Sequence, residues 1–259
     1  MVRPVYKNAI LANPTGGSMK AILVGFGLLL SSTVFAATSA PSLAKYYQFG
    51  RPVIQEVTSG PLADYQPLAT DFAACNASQA GVLGDALDPL NPIDRAHIWL
   101  DKIINIGKKA WSVVELGRPV VNIVVDSANA LPQGIGCWNH LTGWSVPQSK
   151  TYKVSYVNGF NSEVVSFAFR VIYTAGGSFN GAGRYISNAT VVPAQLNVAW
   201  GYTFNATTVV PNVFNSGTLE QPIAGMQLNL NWSVDTVVKH VQQAESFYIG
   251  GDGAFKRME

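Results

Sequence analysis

Charge is what this chain has least of. Asp, Glu, Lys and Arg make up 12% of its 259 residues while 48% are hydrophobic, and that charged share is about half the usual one. High hydrophobicity with little charge excludes a disordered chain. Histidine is scarce too: His97, His140 and His240 are the three, and no two are spaced as a helical metal pair would be. The two cysteines, Cys75 and Cys137, are too far apart for a zinc knuckle or a redox Cys-x-x-Cys pair. There is no Gly-x-Ser-x-Gly elbow, no Walker loop, and no Gly-x-Gly-x-x-Gly after a strand. Neither a cofactor nor a metal is expected. Nothing electrostatic recommends nucleic acid or an anionic membrane surface as partner, and membrane association is not the favoured expectation.

What is there begins with Met19–Ala36. Lys20 supplies a positive start and Ala21–Leu30 is an uncharged apolar run. Ser31–Ala36 is more polar, with Val34 and Ala36 small enough for the −3 and −1 subsites of a signal peptidase. The run is short for a membrane span and no stop-transfer charges follow it. The pattern predicts an exported protein of bacterial style, cleaved between Ala36 and Ala37. Residues 1–18 carry Pro4, Pro14 and Gly16-Gly17 without apolar periodicity, and read as an over-extended start. Arg3, Lys7 and Lys20 leave with the leader and no acid does, so the formal charge of +2 becomes −1. In an oxidising compartment an even pair of cysteines predicts one disulfide, Cys75–Cys137. A loop of that length is worth ~4 kcal/mol in the chain-entropy view.

Three further segments follow from composition and period. Residues 37–90, rich in Ala, Pro, Gly and Asp, predict an irregular arm with an aromatic cluster at Tyr46, Tyr47 and Phe49 and a short helix near Leu68–Ala77. Asn91–Gly117 reads as an amphipathic helix. Asn91 is the N-cap, Pro92 the first helical residue, Ile93, Ala96, Leu100, Ile103, Ile104, Trp111 and Val114 the stripe, and Gly117 the stop. Its stripe is expected to pack on a β-domain.

From Arg118 onward the period is two. Runs at Val121–Val125, Tyr152–Tyr156, Val165–Tyr173, Leu196–Phe204 and Met226–Val234 follow this period, Tyr185–Val192 reads as a further strand, and Val237–Ile249 as one more strand or a bent pair. They predict about seven or eight antiparallel strands with one buried face each, in a sandwich. Trp200 and Trp232 fall on apolar faces and are expected in the core. Asn158-Gly159, Gly176-Gly177, Asn180-Gly181, Pro193 and Ser216-Gly217 are the expected turns. The chain thus reads as a mainly β protein: a leader over 1–36, an arm over 37–90, and a helix plus sandwich over 91–259.

One loop looks like a site. Between Cys137 and Trp144 the sequence gathers Trp138, Asn139, His140 and Trp144 on a connection between strands. Flat rings with an amide and an imidazole suit a sugar or a peptide. The competing reading is a clasp anchored by tryptophans, with Trp138 the buried ring and Trp144 the exposed one. Gly176–Gly183 reads as a hairpin loop rather than a phosphate cradle, and Asp252 as a turn residue rather than a calcium ligand.

The functional expectation is a non-enzymatic cell-envelope or secreted module that binds a protein or carbohydrate, or assembles with copies of itself. A membrane-inserted barrel or pore-former is the second reading, and a hydrolase built on the 137–144 loop the third.

Overall fold

Alternation along the chain does become strands, in the computed structural model, which describes residues 41–57, 98–115 and 126–258. In chain order come helix α1 (Pro41–Tyr47) and strands β1 (Val53–Glu56), β2 (Trp99–Gly107), β3 (Ala110–Val114) and β4 (Ala128–Gln133). After a 3-10 turn at Trp138–His140 follow β5 (Gln148–Val157), β6 (Glu163–Phe179), β7 (Ala182–Val198) and β8 (Thr203–Val209). The chain closes with β9 (Val213–Asn215), β10 (Ala224–Asp235), β11 (His240–Gly250) and β12 (Phe255–Met258). The strands form two antiparallel six-stranded sheets, sandwich-like. The first has the order β1-β5-β6-β7-β4-β2; the second is β12-β11-β10-β8-β3, with β9 on β10. The described residues thus hold twelve strands, where the sequence predicted about seven or eight.

The alternating rows decide how the sheets meet. Phe167, Phe169, Val171 and Tyr173 of β6 are at most 1% exposed, as are Leu228, Leu230 and Val234 of β10. Rings interlock between the sheets: Phe167 with Phe204 at 4.8 Å between centroids, Tyr152 with Phe247 at 5.3 Å, and Tyr173 with Phe255 at 5.7 Å. A fully buried polar link crosses this apolar layer. The Trp232 indole N–H donates to the Tyr156 hydroxyl at 2.9 Å, both residues being buried. A buried indole or phenol needs such a partner, because an orphaned polar group costs more than the bond gains. The first edge of each sheet is a four-residue strand with an ion pair beside it: Lys150–Glu56 at 2.9 Å by β1, and Arg257–Glu245 at 2.6 Å by β12. Short, charged edges discourage pairing with other chains.

Several sequence expectations are corrected. The amphipathic helix over Asn91–Gly117 is instead β2 and β3 where it is described; 91–97 and 116–117 lie outside the described residues. The segment is rich in isoleucine and valine, which favour strands, and Gly107 breaks it in the middle. Gly107 has φ +115°, and a Cβ there would stand 2.6 Å from the Ser127 carbonyl oxygen. Only glycine makes this corner, where the chain leaves the first sheet for the second.

Leu196–Phe204 is likewise two strands and not one. β7 stops at Val198, the Tyr202 N–H closes a turn onto the Ala199 carbonyl, and Gly201 takes φ +79°. Trp200 therefore rides on a turn, 82% exposed, whereas Trp232 is in the core at 3%. The expected turns at Gly176-Gly177 and Pro193 fall inside β6 and β7, at places where the register between the two strands shifts, which is where a strand tolerates glycine and proline. Asn180-Gly181 does form the tight hairpin apex, both residues at positive φ. Part of the arm is regular: α1 and β1 lie in it, and Tyr47 and Phe49 are buried. The run at Val121–Val125, the short helix near Leu68–Ala77, Cys75 and the leader lie outside the described residues.

Candidate functional site

The loop that drew attention in the sequence is folded as a clasp. Trp138, Asn139 and His140 form the 3-10 turn, and the Trp144 indole N–H returns to the Trp138 carbonyl at 3.2 Å. Thr142 and Ser178 exchange backbone hydrogen bonds at 3.0 and 2.8 Å, and the Ser145 N–H donates to the Ala175 carbonyl at 2.8 Å. The Trp144 ring lies on Gly177 of β6 so closely that a Cβ there would come within 2.4 Å of it. That glycine is a platform for an indole and not a turn. The two tryptophans are both half-buried, in place of the expected buried Trp138 and exposed Trp144, while Asn139 and His140 are exposed. The loop spends one face of its rings and its indole N–H on β6 and on itself. Of the four candidate residues, the turn brings Asn139 and His140 to the surface. Cys137, beside Trp138, is buried.

A more site-like surface lies on the outer face of the second sheet. There the polar partners of the buried rows stand side by side: Asn205 opposite Ser233, Thr207 opposite Asn231, and Ser233 opposite Gln242. Residues i and i+2 share a face and neighbouring strands lie about 4.8 Å apart, so β8, β10 and β11 present a grid of amides and hydroxyls. Asn205, Thr207, Asn231, Ser233 and Gln242 line a shallow open groove of ≈ 550 Å³. Each amide offers donors and an acceptor, and each hydroxyl offers both. The grid can therefore bond a ligand that is uncharged and itself carries alternating donors and acceptors.

Beyond the groove, two residues past Ser233 on β10, Asp235 lies across the β10–β11 ladder from His240. Its carboxylate accepts from the Ser233 hydroxyl at 3.1 Å through one oxygen and meets His240 Nδ1 through the other. Serine, histidine and a carboxylate thus come together, but in the wrong order for acyl transfer. A catalytic imidazole must stand between serine and acid to take the serine proton; here the carboxylate stands between serine and imidazole. Among the described residues no group of three or more His, Cys, Asp or Glu side chains could hold a metal ion.

The ionisable groups whose pKa values move furthest are phenols. Burial is the main cause, pushing Tyr152 and Tyr202 up to about 12, with Tyr156, Tyr173 and Tyr185 also raised. They belong to the core and its rim rather than to the groove.

Asn205, Asn231 and Ser233 were visible in the sequence as polar residues of alternating runs, whereas Thr207 and Gln242 were not. The missing signal was register: Asn205, Asn231 and Gln242 become neighbours only through the pairing of β8, β10 and β11. No family model, no curated protein and no solved structure matches this chain.

Proposed function

We propose that this protein is an exported, non-enzymatic cell-envelope or secreted module with a β-sandwich core. In this reading it binds an uncharged, hydroxyl- and amide-rich ligand, a polysaccharide by chemical class, on the outer face of its second sheet. The observation that carries the reading is the register-aligned grid of Asn205, Thr207, Asn231, Ser233 and Gln242 across β8, β10 and β11. Sugar hydroxyls need paired donors and acceptors at short, regular spacing, and three adjacent strands supply them without charge to desolvate. The leader at Met19–Ala36 and the pair Cys75–Cys137 favour an oxidising compartment. Inward-facing aromatic rows favour this module over an outer-membrane barrel, whose aromatic rows would face lipid. The order serine–carboxylate–imidazole at Ser233, Asp235 and His240 gives no support to a hydrolase at that second cluster.

The test is retention by insoluble polysaccharides and peptidoglycan. The wild type should be pulled down by at least one of them, and Asn231→Leu with Gln242→Leu should abolish retention while the melting temperature hardly moves, since the grid is a water-facing surface. Retention unchanged in the double variant, or a wild type that none of these polymers holds, would overturn the proposal.

A further inference from the structure

One end of the sandwich presents apolar side chains to water. The β7–β8 turn carries Trp200, 82% exposed, and the β10–β11 turn carries Val237 and Val238 at 78% and 70%. Thr203 and His240 both lie opposite Asp235, so these two turns sit side by side. Phe160 of the β5–β6 turn and Leu43 of α1, each about half exposed, belong to the same end: the Gly159 N–H donates to the Lys45 carbonyl, and the Lys45 ammonium lies 4.9 Å over the Phe160 ring.

Local preference does not put these residues there. Hairpin apices favour Gly, Asn, Asp, Pro and Ser, and β-branched valines gain nothing from the position. The β10–β11 turn is nonetheless well built. The Thr236 N–H donates to the Lys239 carbonyl, and the Thr236 hydroxyl accepts from the Lys239 N–H at 3.0 Å. The Trp200 turn is braced as firmly, its carbonyl accepting from the Tyr46 hydroxyl at 3.0 Å and Gly201 packing on the Tyr47 ring. Rigid turns thus hold large apolar side chains out into water, and a break with local rules of this kind marks a functional surface.

The charges around this end are selective. Lys239 lies 4.5 Å over the Phe49 ring and its ammonium also donates to the Phe49 carbonyl, while Lys45 lies over Phe160, each ammonium at the end of an apolar stem. The carboxylates nearby are engaged: Asp235 by His240 and Ser233, and Glu163 by Lys153 at 3.0 Å. A tryptophan and aliphatic side chains at the apex with lysines set behind them match the layering of a bilayer interface. Aromatic rings take the headgroup level there, and lysine stems lie along apolar surface while the charge reaches phosphate. The surface is a set of separate protruding turns, which enters a fluid interface more readily than it forms the close-packed patch a protein partner needs.

We infer that this end of the sandwich is a membrane-docking surface that inserts Trp200, Val237 and Val238 into the interfacial layer of a bilayer containing anionic lipid. The inference does not depend on the polysaccharide groove, and the two are tested separately. The experiment is co-sedimentation with phosphatidylcholine vesicles, with and without phosphatidylglycerol, and with lipids brominated in the acyl chain as quenchers of tryptophan fluorescence. The wild type should sediment with the mixed vesicles, more weakly with phosphatidylcholine alone, and its fluorescence should be quenched. Trp200→Ser with Val238→Ser should weaken binding by at least about tenfold, because the buried apolar area drives it, while the melting temperature stays put. Trp200→Phe should bind almost as well and lose most of the quenching, which identifies the inserted ring. A wild type that does not sediment, a double variant that binds as well as wild type, or Trp200-dependent self-association in place of lipid binding would overturn the inference.

Discussion

The hydrogen bond from Trp232 to Tyr156 is the sharpest handle on how the two sheets hold together. Tyr156 is fully buried in β5 of the first sheet, and Trp232 is 3% exposed in β10 of the second. Their 2.9 Å contact is a buried polar link between the two sheets. Tyr156→Phe keeps the ring and removes the acceptor, leaving the indole N–H buried without a partner. The expected cost is about 1–3 kcal/mol, the penalty for an orphaned buried group plus the lost bond. Trp232→Phe removes the donor and shrinks the ring as well, so it should cost more through the space it leaves. The double variant orphans neither group. It should be less destabilised than the sum of the singles by about 1–2 kcal/mol, a coupling typical of directly bonded residues. Urea denaturation followed by circular dichroism on the four proteins of the cycle measures this. Additivity within ~0.5 kcal/mol, or a Tyr156→Phe protein as stable as wild type, would refute the view that this bond ties the sheets.

Three further outcomes are expected. Gly177→Ala should drive the Trp144 indole off β6, since its Cβ would stand 2.4 Å from the ring; the cost is about 1–3 kcal/mol, as for an overpacked site, and an unchanged urea midpoint would count against the clasp. Raised phenol pKa values make the fold sensitive to alkali. Unfolded phenols ionise near pH 10 while Tyr152 and Tyr202 hold their protons to about 12 when folded, so stability is full below pH 10 and falls from there to about 12. Phenolate absorbance should then include a late step that coincides with loss of circular dichroism; ionisation of every tyrosine near pH 10 with the fold intact would refute this. Finally, protein recovered from an exporting host should begin near Ala37 and yield a Cys75–Cys137 peptide pair on non-reducing mapping, and two alkylatable thiols or a retained residue 1–18 segment would contradict it.

Much of the architecture was legible because burial on one face imposes period two. Phe167, Phe169 and Val171, and likewise Leu228, Leu230 and Trp232, could be placed inside from alternation alone. Alternation fails where a tight turn preserves it by accident. Leu196, Val198, Trp200, Tyr202 and Phe204 keep perfect parity across the β7–β8 turn, and the one irregular signal was Gly201. Helical spacing failed in the same way over Asn91–Gly117. Ile103, Ile104 and Trp111 fit a stripe, but tertiary pairing of β2 with β4 and of β3 with β8 decides their conformation, and no local window contains those partners. The candidate loop was read from residue type alone. Which face of Trp144 remains available depends on Gly177 of β6, more than thirty positions downstream, and that is beyond any sequence window.

The order of strands in the two sheets has a consequence for how the chain reaches this state. β5, β6 and β7 pair with their neighbours in sequence, as do β10, β11 and β12. The three earliest described strands all wait at sheet margins for partners synthesised later: β1 on β5, β2 on β4, and β3 on β8, with Val53 meeting Ser155 and Ala110 meeting Val209. Local hairpins close quickly and distant pairings slowly. The later meanders are therefore the natural nucleus, and the N-terminal strands are seals applied to it from outside. A chain interrupted before β8 would hold β3 without a seat, so the earliest-made of these strands are the last to become stable.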